Sequence, residues 1–274
     1  MSLVVKIGGE VIGSGEAKLL AADLRVLIDG GAKIAIVHGG GPQATALQKQ
    51  LGLETVQVAG RRVTDAATLD VMKMAVAGKL NVDLCAILTA AGVSGVGLHG
   101  ASALVVRAVK RPPKVYAGAG PDPVDLGLVG DVTGFNVALL ETLWTGGYTP
   151  VIACLGADAE GGVYNINADM VGNQLAAALH AERLFLITST PGVLRDVNDP
   201  GSRLAKLTVA EARAAIASGV VTGGMIAKLE EAIAVVDQGV GAIHILGKLG
   251  AGDLVRAVRE PGSVGTTLTG TVSP

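Results

Sequence analysis

Residues 33–43 read KIAIVHGGGPQ, a short apolar strand that runs directly into three glycines and a proline. Glycine lets the backbone turn sharply and approach a ligand closely, and Pro42 suits the first turn of a helix. A strand, a glycine loop and a helix start therefore predict a cradle of backbone N–H groups that binds phosphate or carboxylate. The loop alone is equally compatible with a plain tight turn. It matches neither the P-loop nor the GxGxxG dinucleotide motif, so any phosphate-binding lysine must come from elsewhere in the chain.

The composition favours a sheet covered by helices. Half of the 274 residues are apolar and 40 are glycine, yet only six are aromatic (one Trp, three Tyr and two Phe). A core of small aliphatic side chains with many tight turns is typical of a parallel sheet buried on both faces. The length allows one large α/β domain or two lobes that share a sheet.

Several classes of protein are disfavoured by charge and hydropathy. The chain has 22 basic and 24 acidic residues and no basic tract, which argues against a nucleic-acid partner. No apolar run approaches the roughly 20 residues of a membrane span, and the start of the sequence is strand-like and unlike a signal peptide. We therefore expect a cytoplasmic protein. Cys85 and Cys154 have no metal-site spacing and are predicted to be reduced packing residues.

The first strand is predicted to carry a functional lysine. Residues 3–7 read LVVKI and are followed by Gly8 and Gly9. A lysine inside a buried strand is costly unless its ammonium group reaches the strand end or finds a partner. Lys6 can reach the carboxyl edge of the sheet, where open α/β folds bind ligands, or it can simply extend to solvent.

Three later stretches are predicted to contribute to the same edge. Residues 55–63 form a hairpin pattern in which Arg61 or Arg62 could grip a carboxylate. Residues 162–169, GVYNINAD, lead into a helix, so that Asp169 is either an N-cap or an organiser of nearby lysines. Residues 184–194, LFLITSTPGVL, begin as a buried strand and end as a ligand-facing loop.

Further elements follow from periodicity and capping patterns. We expect helices at 16–29, from Thr64 or Asp65 to about residue 91 with a break near Gly78, at 209–218 behind a capping box of Thr208 and Glu211, and from 224 to 239. Lys228 lies on the last of these helices and is, by pattern alone, an ordinary solvated lysine. Further strands are predicted at 95–98, 104–109, 147–155, 242–246 and 265–268, and 111–127 is predicted to be a surface loop.

The whole chain resembles the amino acid kinase family, and within it the enzymes that phosphorylate N-acetyl-L-glutamate in the second step of arginine biosynthesis. The resemblance rests on motifs in a fixed order: KIGG (6–9), HGGGPQ (38–43), GRRVT (60–64), GLVGDV (127–132), NINAD (165–169), STPGVL (189–194) and TGGMIAK (222–228). It implies a three-layer αβα sandwich around a mainly parallel open sheet. It also implies two lobes: residues 1–180 for acyl-amino-acid binding and dimerisation, and residues 181–274 for nucleotide binding.

The resemblance assigns roles by motif. Lys6 and Lys228 would stabilise the transferring phosphoryl group, and Asp169 would hold both lysines in place. The substrate would bind to Gly40, Gly41, Arg62 and Asn165. The nucleotide would bind to Gly8, Gly9, Ser189, Thr190, Gly192, Val193, Leu194, Val220, Val221 and Thr222.

The reaction implied is the transfer of a phosphoryl group from ATP, with Mg²⁺, to a γ-carboxylate that needs no general base because it is already ionised. No metal ligands are assigned to the protein. Many relatives have Asp where Ser189 stands, a departure that bears on the ATP contacts at this position. The sequence also lacks the extra N-terminal helix of arginine-inhibited relatives, so we expect an arginine-insensitive homodimer. His38 is expected to be a buried structural imidazole. The alternatives are a kinase for N-succinylglutamate or a carrier-linked aminoadipate, and a non-catalytic metabolite-binding subunit.

Overall fold

The structure is a computed structural model that describes residues 1–196 and 198–270. Within these residues the strands are β1 (Ser2–Ile7), β2 (Lys33–His38), β3 (Gln57–Val58), β4 (Arg61–Arg62), β5 (Gly95–Leu98), β6 (Val106–Lys110), β7 (Gly130–Phe135), β8 (Thr149–Ala153), β9 (Leu155–Ala157), β10 (Val163–Asn165), β11 (Arg183–Thr188), β12 (Lys206–Thr208), β13 (Ala242–Gly247) and β14 (Thr266–Thr269).

The helices of the same ranges are α1 (Gly9–Ile12), α2 (Glu16–Asp29), α3 (Gly41–Gln50), α4 (Ala66–Met72), α5 (Asn81–Ala90), α6 (Val137–Thr145), α7 (Ala168–Ala178), α8 (Val209–Ala217), α9 (Gly224–Asp237) and α10 (Asp253–Arg259). A π-helical segment, Lys73–Leu80, joins α4 to α5, and a short 3₁₀ turn spans Pro200–Ser202. None of these helices has the length and apolar character that crossing a bilayer requires.

One sheet of eight strands organises the molecule, in the order β12-β14-β13-β11-β1-β2-β8-β5. Six neighbouring pairs are parallel, and β13 and β14 are antiparallel. A second sheet has the order β10-β9-β6-β7, and β3 pairs with β4 as a hairpin. The main sheet confirms the mainly parallel α/β architecture.

The central strands are buried on both faces, which gives three layers. In β1, Leu3, Val5 and Ile7 pack on one side with α2, α5 and α10. Val4 faces the other side, where the core includes Val171 of α7 and Leu229 of α9. Because successive side chains of a strand point to opposite faces, Lys6 shares the face of Val4 and lies toward α7 and α9.

The sheet order separates the two halves of the sequence. Strands β1, β2, β8 and β5 come from residues before 180, and β11 to β14 come from residues after it. The assignment of one function to each lobe, 1–180 and 181–274, stays a prediction. Residues 197 and 271–274 of the second lobe lie outside the described residues.

Helix starts confirm the capping chemistry read from the sequence. The Asp65 carboxylate accepts a hydrogen bond from the Thr68 amide at 2.7 Å at the start of α4. Thr208 and Glu211 form the reciprocal capping box of α8. At α7, however, the cap is Asn167, whose Oδ1 accepts from the Asp169 amide at 2.7 Å. The N-cap interpretation of Asp169 is therefore wrong, and its carboxylate is free for another role.

Two strand predictions need correction. Residues 147–155 were expected to form a single strand, but β8 ends at Ala153 and β9 begins at Leu155 in the other sheet. The strand predicted at 265–268, the last one in the sequence, is not the edge of the main sheet, because β14 lies between β13 and the edge strand β12. Strand β12 has only three residues, too few to show an alternating pattern, and β7 and α6 were also missed.

Candidate active site

Two glycine loops meet at the carboxyl edge of the main sheet. The registers align Ile7 of β1 with His38 of β2 and with Ile187 of β11, so these strands end together. A Cβ atom on Gly9 would lie 2.8 Å from the Gly40 Cα, so the loops after β1 and β2 touch through their backbones. The Gln43 side chain donates to the Gly9 carbonyl at 2.8 Å and fixes this contact.

The loop after β2 is pressed against the π-helical segment. A Cβ atom on Gly40 would lie 2.5 Å from Leu80 Cδ1 and 2.8 Å from Val76 Cγ2. Both side chains are buried, so only glycine fits. The loop leads into α3 with Pro42 in the first turn and no side-chain cap, which leaves the first amides of the helix available to an anion.

Lys6 and Asp169 form an ion pair beside these loops. Lys6 Nζ lies 2.8 Å from Asp169 Oδ1. Gly172 lies one turn further along α7, and a Cβ there would come within 3.1 Å of Lys6 Cβ, so this glycine leaves the space that the lysine fills. The pair is mostly buried, with 10% and 23% of the two side chains exposed.

Lys228 approaches the same place from α9. Its Nζ lies 3.4 Å from Thr188 Oγ1 at the end of β11. Burial lowers the pKa of Lys228, and Asp169, Glu10 and Glu231 oppose this effect through their negative charge. In the described part of the chain, Asp169 is thus paired directly with Lys6 and acts on Lys228 at longer range.

A cleft of about 370 Å³ opens beside this cluster. Among its lining residues are seven that the resemblance had assigned to binding or catalysis: Lys6, Gly8, Gly9, Gly40, Gly41, Arg62 and Asn165. The structure therefore brings together residues that lie up to 159 positions apart in the sequence, from Lys6 to Asn165.

Arg62 is held at the rim of the cleft by three acceptors. Its guanidinium donates to Gln48 Oε1, to the Gly41 carbonyl at 3.2 Å and to Thr45 Oγ1 at 2.7 Å. Burial lowers its pKa, but a guanidinium remains charged at neutral pH. Asn165 donates to Thr64 Oγ1 at 3.0 Å. Both groups are thus positioned in advance of any ligand.

The family follows from a comparison of the whole sequence. The model of the Amino acid kinase family matches residues 1–247. The chain belongs to the amino acid kinase family.

Relatives within the family are similar over almost their entire length. A protein of Sorangium cellulosum (strain So ce56) named acetylglutamate kinase is 64% identical over 97% of this chain and 94% of its own. A second protein of that name, from Anaeromyxobacter sp. (strain Fw109-5), is 62% identical over 98% of this chain and 99% of its own. The crystal structure of smu.665 from Streptococcus mutans UA159 shares the fold with a TM-score of 0.76 and 30% identity, covering 98% of this chain and 99% of that one.

The loops that the family resemblance assigned to the nucleotide lie beyond the lining of the cleft. Ser189, Thr190 and Thr222 expose their side chains, whereas Val193 and Val221 are buried in the core. The Val193 amide donates to Thr266 Oγ1 at 2.8 Å. Apart from Gly8 and Gly9, none of the nucleotide candidates lines the cleft, and the two buried valines could offer a ligand only their main chain.

His38 has the structural environment expected of it. Its ring is fully buried, with Nδ1 3.0 Å from the Gly39 carbonyl and Nε2 2.9 Å from Asn81 Nδ2. Because the carbonyl can only accept and the amide nitrogen can only donate, the ring is the neutral Nδ1–H tautomer. Burial lowers its pKa, so it stays neutral and anchors the glycine loop. Cys85 and Cys154 are both free, as predicted.

Sequence reasoning missed three charged residues that line the cleft. Glu10 follows the first glycine pair, Arg111 begins the proline-rich loop, and Glu231 lies three residues after Lys228. Arg111 is paired with Asp131 at 2.8 Å. The signal for Glu231 was available, because residues three apart on a helix share a face, whereas the position of Arg111 depends on the path of an irregular loop.

Proposed function

We propose that the chain is an acetylglutamate kinase, which transfers the γ-phosphoryl group of ATP to the γ-carboxylate of N-acetyl-L-glutamate. The product is N-acetyl-L-glutamyl 5-phosphate, in the second step of arginine biosynthesis. The observation that carries the proposal is the Lys6–Asp169 pair at the edge where two glycine loops meet. Relatives of 64% and 62% identity that bear this name support the choice of acceptor.

The acceptor would bind in the cleft through its fixed polar groups. Arg62 presents a planar guanidinium that suits the α-carboxylate of the acyl amino acid. Asn165 and the amides of Gly40 and Gly41 would hold the rest of the substrate. Support comes from their shared position on the lining of one cleft.

Positive charge would allow the two anions to approach each other. The carboxylate oxygen attacks the γ-phosphorus, and the bond from that phosphorus to the oxygen bridging the β- and γ-phosphates breaks, so that ADP leaves. The carboxylate is already ionised, and the barrier lies in repulsion and alignment. Lys6 and Lys228 would neutralise the charge on the transferring group, and Asp169 would keep Lys6 in position.

The nucleotide would lie on the loops at 189–194 and 220–222, with its phosphates toward Gly8 and Gly9. Magnesium would enter as part of the MgATP substrate. The described residues contain no group of three or more His, Cys, Asp or Glu side chains placed to hold a metal ion, and Mg²⁺ in phosphoryl-transfer sites is often held mainly by the phosphates and water.

We further propose that two copies associate through the helix formed by α4, the π segment and α5. Met74 and Val82 on this helix expose 51% and 65% of their surface, and the adjacent strand β5 lies at the edge of the main sheet. Sedimentation velocity at micromolar concentration tests this point, since a monomer would contradict it.

Trapping of the acyl phosphate tests the activity. The enzyme is incubated with MgATP, hydroxylamine and either N-acetyl-, N-succinyl- or free glutamate, and the hydroxamate is measured. We expect the highest kcat/KM with N-acetylglutamate. A preference for the N-succinyl compound would move the function to a related acyl amino acid. The absence of hydroxamate with any acceptor, while the substrates still bind, would indicate a non-catalytic binding subunit.

A further inference from the structure

A carboxylate outside the assigned roles faces the two lysines. Glu231 lies on α9, three residues after Lys228, and lines the cleft together with Lys6. The Cβ atoms of residues three apart on a helix lie about 5–6 Å from each other. The two side chains therefore present opposite charges on one side of α9.

The partner of Glu231 comes from the helix that carries Asp169. Asn173 is buried, and its Nδ2 lies 3.5 Å from Glu231 Oε2. Asn173 is four residues after Asp169, so both side chains leave the same face of α7. Helices α7 and α9 thus meet at Asn173 and Glu231, while Asp169, one turn earlier on α7, acts on Lys228 through its charge at longer range.

The charges around Lys228 come from four elements. Lys6 of β1 opposes its protonation, whereas Asp169 of α7, Glu10 of α1 and Glu231 of α9 favour it. The neutral Thr188 hydroxyl of β11 is its hydrogen-bonding neighbour. Because burial disfavours the ammonium form, the anions must compensate if Lys228 is to stay charged.

We propose that Glu231 is a positioning residue for the phosphoryl transfer: anchored by Asn173, it keeps Lys228 protonated and directed toward the transferring group. The inference rests on the proposed function. Burial and the nearby Asp169 raise the pKa of Glu231, but at alkaline pH, where Lys228 begins to lose its proton, the carboxyl group is ionised. The negative charge of Glu231 is therefore present in the pH range in which Lys228 would otherwise lose its proton.

The test is the pH dependence of kcat/KM for MgATP, which reports ionisations of the free enzyme. In Glu231→Gln the alkaline limb should move to lower pH by about 0.5 unit at low ionic strength, which is the Coulomb shift for unit charges roughly 6 Å apart, the Cβ spacing of such a pair, at the dielectric constant of water. Glu231→Ala makes the same charge change with a smaller side chain and should shift equally. Glu231→Asp keeps the charge and should largely restore the wild-type limb.

The matched control is Glu230→Gln, which removes one negative charge from an exposed neighbouring position of the same helix and, being more distant and screened by solvent, should move the limb clearly less than Glu231→Gln does. An unmoved limb in an active Glu231→Gln enzyme would overturn the proposal. So would an increased Mg²⁺ requirement with an unmoved limb, because Glu231 would then be a ligand of the nucleotide's metal. If wild-type enzyme formed no acyl phosphate, the proposed function itself would fail, and these two failures are distinguishable.

Discussion

Replacing Gly40 with alanine should lower both the stability of the fold and the activity of the site. The size of each effect can be estimated from the structure. The added methyl would lie 2.5 Å from Leu80 Cδ1 and 2.8 Å from Val76 Cγ2, whereas carbon atoms prefer about 3.5–4.0 Å. The loop must therefore retreat by about 1 Å. Overpacking of this kind costs about 1–3 kcal/mol. Misplacing a binding group by about 1 Å can cost roughly 10²-fold in rate. We therefore expect kcat/KM for the acyl substrate to fall by up to roughly 10²-fold.

Urea unfolding provides the assay for the first part of this prediction. The single tryptophan, Trp144, is partly buried and donates to the Ile34 carbonyl at 2.8 Å, so its fluorescence should follow unfolding. Gly41→Ala is the control for stability alone, because a Cβ at Gly41 meets no heavy atom within 4 Å. It should unfold at the wild-type urea concentration or above it. If Gly40→Ala matched wild type in both unfolding free energy and kcat/KM, the close packing of the loop on the π segment would not constrain the site.

Three further predictions concern stability, pH and substrate binding. Asp23 is buried and accepts hydrogen bonds from the Gly252 and Leu254 amides at 2.9 and 2.8 Å. Asp23→Ala should therefore lower the unfolding free energy by about 1–3 kcal/mol. A loss under about 0.5 kcal/mol in urea unfolding would contradict this prediction. His244 is fully buried with its pKa lowered to about 3 by burial, so the native state rejects a proton that the unfolded chain accepts near pH 6.5. Stability should therefore fall by up to about 1.4 kcal/mol per pH unit between about pH 6.5 and 3, and His244→Asn should take up about one proton fewer on unfolding at pH 5; equal proton uptake would refute it. Arg62→Ala should raise KM for the acyl amino acid more than KM for ATP, and the opposite order in initial-rate kinetics would place Arg62 at the nucleotide.

Much of the fold could be predicted because its signals are local. Continuous apolar runs gave β1 and β2, and the capping box gave the start of α8 at its observed residue. Strand β12 could not be predicted because three residues are too few to show an alternating pattern. Strand β9 could not be predicted as a separate strand because residues 147–157 pass from one sheet to the other within a single apolar stretch. The strand order is a property of long-range pairing that no local window contains.

The convergence of residues on the cleft was predictable where motifs carry it and not elsewhere, and the roles of these residues stay predictions. The glycine loops, Lys6 and Asn165 converge on one cleft as the motif resemblance implied. Asp169 could not be assigned from the sequence, because an N-cap and an ion-pair partner have the same local pattern, and only the position of Asn167 separates them. The contact between Glu231 and Asn173 depends on the packing of α9 against α7, which a local sequence pattern does not reveal.

The joint action of Lys6 and Lys228 is what allows two anions to meet in the proposed reaction. Its most direct test is the single-turnover rate of acyl-phosphate formation at saturating MgATP and acyl substrate. Lys6→Ala and Lys228→Ala should each be slower than wild type by at least about 10²-fold, while Lys33→Ala, an exposed lysine at the opposite end of β2, should react at the wild-type rate. A wild-type rate in either of the first two variants would remove that lysine from the chemistry and contradict the account.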